Sequence, residues 1–252
     1  MPFVKFHLPC PSCGGSDPVS VNDNGSGYCF SCTKYFPNYD TSEVHQPDTV
    51  TDFVEYQRNS KMEQGSSTAT PNPSASFNEL TDRKISLATA KKYGVRSTMI
   101  GGKIDKHYYP YYNGHEFAGT KIRKQNKDFA WTGSPKEVGL FGENLFKAGG
   151  KFITLTEGEC DAMAAYELMG SKWPVVSIKS GAAGGVRDVK ENLEYLESFD
   201  AVVINFDNDK YGKEAAQAIA KLLTPKKAKI MTLPVDYKDA NDMLRQGRHA
   251  AY

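Results

Sequence analysis

No stretch of this 252-residue chain is apolar for long enough to span a membrane. Its opening residues, Met1-Pro2-Phe3-Val4-Lys5-Phe6-His7-Leu8, also lack the continuous apolar run of a signal peptide. A soluble, cytoplasmic protein with no membrane partner is expected. Surplus charge of either sign is missing too. Lys and Arg total 31 against 30 Asp and Glu, so any affinity for nucleic acid must come from local patches. Cysteine is almost absent after residue 32: four of the five lie within the first 32 residues. An odd, clustered set does not suit a disulfide framework and does suit metal binding in a reducing compartment. Hydrophobic residues make up only 39%, which suggests that part of the chain does not fold compactly; two folded units and a linker fit the length. There is no internal repeat.

Four segments follow from composition. Residues 1–39 are rich in turns, with Gly14-Gly15, Asn24-Gly25 and Ser26-Gly27 separating short runs such as Val19-Ser20-Val21 and Tyr28-Cys29-Phe30, and predict a small ribbon of strands. Residues 40–76 turn to Thr, Ser, Gln, Asn and Pro, too polar to offset the entropy of ordering, and predict a flexible linker. Roughly 35 such residues span on the order of 30 Å on average, enough for the ribbon to swing over a neighbouring site. Residues 77–150 open on a predicted helix from Thr81 to Tyr93, stopped by Gly94, and continue into aromatic and basic strands of unreadable topology. From residue 151 strands and helices alternate. The strands are expected at Lys151 to Thr156, Pro174 to Ile178, Ala201 to Phe206 and Lys229 to Leu233, which implies a mostly parallel α/β sheet with flanking helices. In the third helix Ala215, Ile219, Leu222 and Leu223 fall at helical spacing and should face the sheet.

Cys10-Pro11-Ser12-Cys13 and Cys29-Phe30-Ser31-Cys32 are two C-x-x-C knuckles fifteen residues apart, the spacing at which two tight turns present four thiolates to one zinc ion. Four protein ligands leave no open position, so this zinc is structural. Around it Tyr28, Lys34, Tyr35 and Phe36, with Asn22, Asn24 and Ser26, suit stacking on unpaired bases and bonding to their edges, or else cover a very small core. Cys160, alone on the first helix of the sheet region, reads as a packed small side chain.

The chemistry is carried by carboxylates at strand ends. Glu157 closes the run Phe152 to Thr156, and Asp207 and Asp209 close Ala201 to Phe206. The C-termini of strands in an open α/β sheet converge on the crevice where such folds bind ligands. Carboxylates gathered there repel unless divalent cations lie between them, and magnesium, held by oxygen ligands, is the expected cation. Two ions about 4 Å apart would suit phosphoryl or nucleotidyl transfer. Asp161, four residues after Glu157, either shares that side or is a first-turn acid favoured by the helix dipole. Thr120-Lys121-Ile122-Arg123-Lys124-Gln125-Asn126-Lys127 holds four cations and no acid. Its alternation puts Lys121, Arg123 and Gln125 on one strand face, meeting phosphates or guarding a strand edge. Trp131, Tyr108 and Tyr111 read as core, and Lys179 and Arg187, flanking Gly181, as weaker triphosphate candidates.

Glu157 followed by Asp207-x-Asp209 resembles the Toprim fold shared by bacterial-type primases, topoisomerases and certain nucleases. Gly181-Ala182 and Lys238-Asp239-Ala240-Asn241-Asp242 are similar to further motifs of its primase branch. With the four-cysteine ribbon in front, the chain resembles the primase half of the podovirus-type bacteriophage primase-helicase. The familiar bacterial replicative primase has a histidine among its zinc ligands; the all-cysteine quartet is similar to the phage branch. The resemblance implies template-directed synthesis of short RNA primers from ribonucleoside triphosphates on single-stranded DNA. It implies a metal core of Glu157, Asp207 and Asp209 binding magnesium or manganese, with Asp161 and Asp239 beside it and Glu157 as candidate base. Lys121 and Lys127 match basic positions near the nucleotide site of that family, and Arg123 and Lys238, with Lys34 and Tyr35 on the ribbon, are further candidate nucleotide or template contacts. A replicative helicase, fused or separate, and a DNA polymerase are the implied partners. These residues contain no G-x-x-x-x-G-K-[ST] loop, so the helicase half is not among them. Two other readings differ in class: a Toprim nuclease or topoisomerase fragment, the latter requiring a tyrosine from a strand-passage domain that is not visible, and a non-catalytic zinc-ribbon adaptor for single-stranded DNA.

Overall fold

The structure, a computed structural model, describes residues 3–8, 10–12, 19–30, 34–39, 74–126, 128–247 and 252. Cys13, Cys32, Lys127 and residues 40–73 of the expected linker lie outside them. The chain divides into two units, residues 1–65 and 66–252.

In the first unit β1 (Phe3–Leu8), β2 (Val19–Asn22), β3 (Gly27–Cys29) and β4 (Tyr35–Phe36) form one antiparallel sheet in sequence order. The β2–β3 turn closes on Gly25, whose φ of 82° lies in the left-handed region that glycine adopts without strain. Asn24 Oδ1 accepts from the Ser26 amide at 3.1 Å and the Ser26 hydroxyl at 2.8 Å, so both side chains are spent on shaping the turn. Cys10, Val19, Val21 and Cys29 are the buried core, with Leu8, Phe36 and Tyr39 packed against it. A core that small needs a staple.

The second unit begins with α1 (Leu87–Lys92), shorter than the helix expected from Thr81. Two local features delay it. Leu80 and Ile85 pair as a bridge across a tight turn in which Lys84 has φ 53°, and Ser86 then caps the helix by accepting from the Thr89 amide. The segment of unreadable topology is a four-stranded antiparallel sheet of β5 (Arg96–Ile100), β6 (Lys103–Asn113), β7 (Glu116–Lys124) and β8 (Phe129–Gly133), in sequence order.

The alternating region follows the expected plan. Strands β9 (Gly150–Thr156), β10 (Val175–Ser177), β11 (Phe199–Asn205) and β12 (Ala228–Ile230) pair in parallel in the order β10-β9-β11-β12. Between them run α2 (Glu159–Leu168), α3 (Gly181–Glu191) with α4 (Leu193–Glu197), and α5 (Lys210–Ala220); α6 (Ala240–Arg245) follows β12. One face carries α2 and α6, packed with Tyr109 and Tyr111 of β6 and with Phe141. On the other, Ile153, Leu155, Val176 and Ile204 meet Val189, Leu196, Ala215, Ile219 and Leu223. Leu222 is only partly buried there. The chain leaves β9 toward β10 and returns past it to β11, so the sheet has its topological switch beside β9, the place where such folds bind ligands.

Candidate active site

Register brings the acids together. Thr156 of β9 is opposite Asn205 of β11, so Glu157, Asp207 and Asp209 leave adjacent strand ends on the same edge. Glu157 Oε1 accepts from the Ala182 amide at 3.2 Å, at the start of α3, where Gly181 has φ 65°. Its Oε2 is buried and makes no hydrogen bond of normal geometry. Asp209 caps α5, accepting from the Gly212 amide at 2.9 Å. The helix therefore starts at Lys210, two residues before Gly212. Gly212 is required because a β-carbon there would lie 2.3 Å from the Asp207 carbonyl oxygen. Asp239 caps α6 in the same way, through the Asp242 amide at 2.7 Å. Asp161 stands in the first turn of α2, accepts from the Asn241 amide at 3.2 Å, and lies close enough to Asp239 and Asp207 to feel their charge.

Burial and like charge act on these groups together. Burial, then Asp207, push the Glu157 carboxyl above the ordinary carboxylate range. Asp161 is driven well above it by burial, with Asp239 and Asp207 adding. Asp207 is raised by burial in spite of the Lys238 ammonium 2.5 Å away. Among the described residues no three acidic, histidine or cysteine side chains converge closely enough to hold a metal ion as they stand. The donor set nonetheless fits magnesium. It is all carboxylate oxygen, one of those oxygens is buried without a hydrogen bond of normal geometry, and the like charges repel one another at an energetic cost that a cation would relieve.

The basic strand departs from its expected role at one residue. Lys121 does not face phosphates: it is buried, and its Nζ donates to Glu159 Oε1 at 2.7 Å and to the Lys179 carbonyl at 2.8 Å. Tyr111 donates to the same Glu159 oxygen at 2.6 Å. Alternation was right about the face, but α2 covers that face. Arg123, half-buried, lies 4.0 Å from Cys160 Sγ, and beyond it the surface opens into a cavity of about 460 Å³ lined by Arg83, Lys103, His107, Arg123, Lys124 and Gln125 among others. Cys160 is a packed side chain, as expected, bonded to the Tyr109 hydroxyl at 3.2 Å. Burial opposes the His107 cation, but the hydrogen bonds it donates to Asp82 and Cys160 outweigh it and bring its pKa up to about 9. Lys179 is buried and tied to the Val138 carbonyl and Glu191, while exposed Arg187 bonds Ser180 and Asp188. Tyr108 and Tyr111 are core, and Trp131 packs partly buried against it.

Three site residues were not singled out in the sequence. Glu159 locks Lys121 and Tyr111. Asp188, fully buried, accepts from the amides of Lys179 and Ser180 and so shapes the Gly181 loop. Asn208, between the two aspartates, bonds the carbonyls of Leu233 and Tyr237 at 2.9 and 3.0 Å, and its amide donates to the Lys238 carbonyl at 2.7 Å. That clamp brings Lys238 and Asp239 to Asp207. An asparagine between two acids was the available signal, since a side chain with two donors suits bridging loop carbonyls.

On the ribbon, Cys10 and Cys29, one thiol from each knuckle, share the same buried cluster. Lys34 donates to Ser12 Oγ at 3.2 Å, and Tyr35 is 55% exposed.

Comparison with known proteins agrees with this geometry. Residues 154–244 match the family model described as Toprim-like. The curated DNA helicase/primase of Enterobacteria phage T3 is 31% identical over 98% of this chain, which spans 42% of that protein's length. The crystal structure of the primase fragment of the bacteriophage T7 primase-helicase is similar with a TM-score of 0.67 and 29% identity, covering 98% of this chain and 97% of that one. A structure of bacteriophage T7 lagging-strand DNA polymerase interacting with primase domains, bound to an RNA/DNA hybrid and dTTP, contains a chain 32% identical, with a TM-score of 0.63, covering 70% of this chain and 89% of that one. With its parallel sheet, its strand-end acids and relatives along its whole length, the chain belongs to the bacteriophage primase-helicase family, of which it corresponds to the primase half.

Proposed function

We propose that this chain is a DNA primase that joins ribonucleoside triphosphates into short RNA primers on a single-stranded DNA template. The observation that carries the reading is the set of carboxylates at the ends of β9 and β11, one oxygen of which, Glu157 Oε2, is buried without a hydrogen bond of normal geometry at the topological switch of the sheet. Magnesium or manganese held by Glu157, Asp207 and Asp209 would activate the attacking oxygen and neutralise the departing pyrophosphate. Asp161 and Asp239 complete the negative wall beside them. Glu157 is also the candidate to take the proton of the attacking hydroxyl. Lys238 at the mouth, and Arg123 and Lys127 on the basic segment, supply the positive charge that positions triphosphate and template, and Lys121 ties β7 to α2 through Glu159.

The ribbon binds one structural zinc through Cys10, Cys13, Cys29 and Cys32. The shared burial of Cys10 and Cys29 supports this. Tyr35, with Phe30 at 60% exposure and Lys34 nearby in sequence, suits stacking on template bases, and hydrogen bonds from Lys34 to base edges would make priming sequence-selective. A replicative helicase, fused or separate, and the DNA polymerase that extends the primer are the proposed partners. No helix among the described residues is long and apolar enough to cross a membrane.

Incubation with magnesium, labelled ribonucleotides and a panel of single-stranded templates tests the reading. Short RNA that appears only with certain templates is the expected result. Absence of product on every template, with either metal, would overturn it.

A further inference from the structure

Among the described residues, the five crevice acids make a single ion pair, Lys238 Nζ with Asp207 Oδ2 at 2.5 Å. The lysine is placed by construction. Asn208 donates its backbone amide to the Lys238 carbonyl and clamps the loop before it through the carbonyls of Leu233 and Tyr237. The two side chains nevertheless differ in freedom: Lys238 is 60% exposed, whereas Asp207 is 13% exposed. The ammonium can therefore swing into solvent without disturbing the core, and the carboxylate cannot follow. A hard divalent cation binds a carboxylate oxygen at about 2.0–2.1 Å, and an ammonium cannot share that oxygen with it at hydrogen-bond distance without strong repulsion.

We propose that Lys238 is the resident counter-ion of the metal-free crevice: it holds Asp207 until a divalent cation takes that carboxylate, and the displaced ammonium then pairs with the triphosphate that enters with the cation. This inference rests on the reading of the crevice as a metal-dependent centre. The exchange has two consequences. It weakens metal capture when no nucleotide is present, because the ion pair must first be broken. It also links the two ligands, because the lysine released by one is recovered by the other, and such linkage is reciprocal.

The test is a titration of the full chain with manganese alone, free ion followed by electron paramagnetic resonance and no nucleotide present. Lys238→Ala should bind manganese about fivefold more tightly than wild type, the upper range for one largely exposed ion pair. Lys238→Arg, which keeps the charge, should not gain. Lys210→Ala is the control for general charge, since Lys210 stands at the start of α5 but pairs with Glu214. In chelator, Lys238→Ala should melt below wild type, and saturating manganese should remove the deficit. With metal saturated, Lys238→Ala should raise KM for ribonucleoside triphosphates more than it lowers kcat. Unchanged or weaker manganese binding in Lys238→Ala, or an equal gain in Lys210→Ala, overturns the exchange, and an unchanged KM overturns the hand-over. The manganese titration needs no synthesis, so a chain that shows the exchange but makes no primer would sink the primase reading alone.

Discussion

Replacing Lys121 with methionine removes the cation from a pair whose two side chains are only 10% and 5% exposed. Glu159 would keep the Tyr111 hydroxyl at 2.6 Å but lose its counter-charge inside the protein, and the Lys179 carbonyl would lose its donor. Breaking a buried pair from one side costs about 3–5 kcal/mol, because the surviving charge stays desolvated. For a unit of this size that is on the order of 10 °C in melting temperature. Adding Glu159→Gln removes the stranded charge yet keeps an acceptor for Tyr111, so the double variant should recover most of the loss. Urea unfolding of the four chains in the cycle measures this directly. Single-variant destabilisation below about 1 kcal/mol, or a double variant no more stable than Lys121→Met, would refute a structural tie. Primer synthesis in the same chains separates the two roles of Lys121. A tie predicts that activity returns with stability in the double variant, whereas a direct phosphate ligand predicts that it stays lost.

Glu157→Gln should abolish primer synthesis while leaving zinc content and the melting temperature unharmed, read by gel assay, metal analysis and calorimetry. Cys29→Ser should release zinc and stop initiation on a bare template yet leave some extension of a preformed oligoribonucleotide; loss of both activities together would contradict separable modules. The pH dependence of the metal-free chain follows from raised carboxyl pKa values at Asp161, Glu157 and Asp207. Raised values mean that the folded state binds more protons than the unfolded one above the ordinary range near 4, so stability falls as pH rises through the folded values. Asp161→Asn should therefore raise the melting temperature in chelator at pH 8 by several degrees and flatten its decline from pH 5, measured by thermal melts in matched buffers.

What the sequence made legible and what it hid divide along a physical line. Strand ends were readable because a parallel sheet fixes both the apolar run and the edge on which its last residue emerges, so Glu157 and Asp207 could be placed beside each other from chain order alone. The sheet of β5 to β8 was not, because nothing local announces which aromatic side chains of β6 will meet Phe141 and α2. Lys121 shows the boundary most sharply. Period-two alternation assigned its face, yet only the packing of α2 decides whether that face meets solvent or Glu159, and helix placement is set by contacts far away in sequence. Asn208 is the converse case. Its chemistry was visible in the sequence, but the carbonyls it bonds belong to residues 233 and 237, reached only once β12 lies beside β11. A clamp of that kind is the reason Lys238 can act on Asp207 at all. Local spacing assembles the acids, and a long-range hydrogen bond decides which cation they meet first.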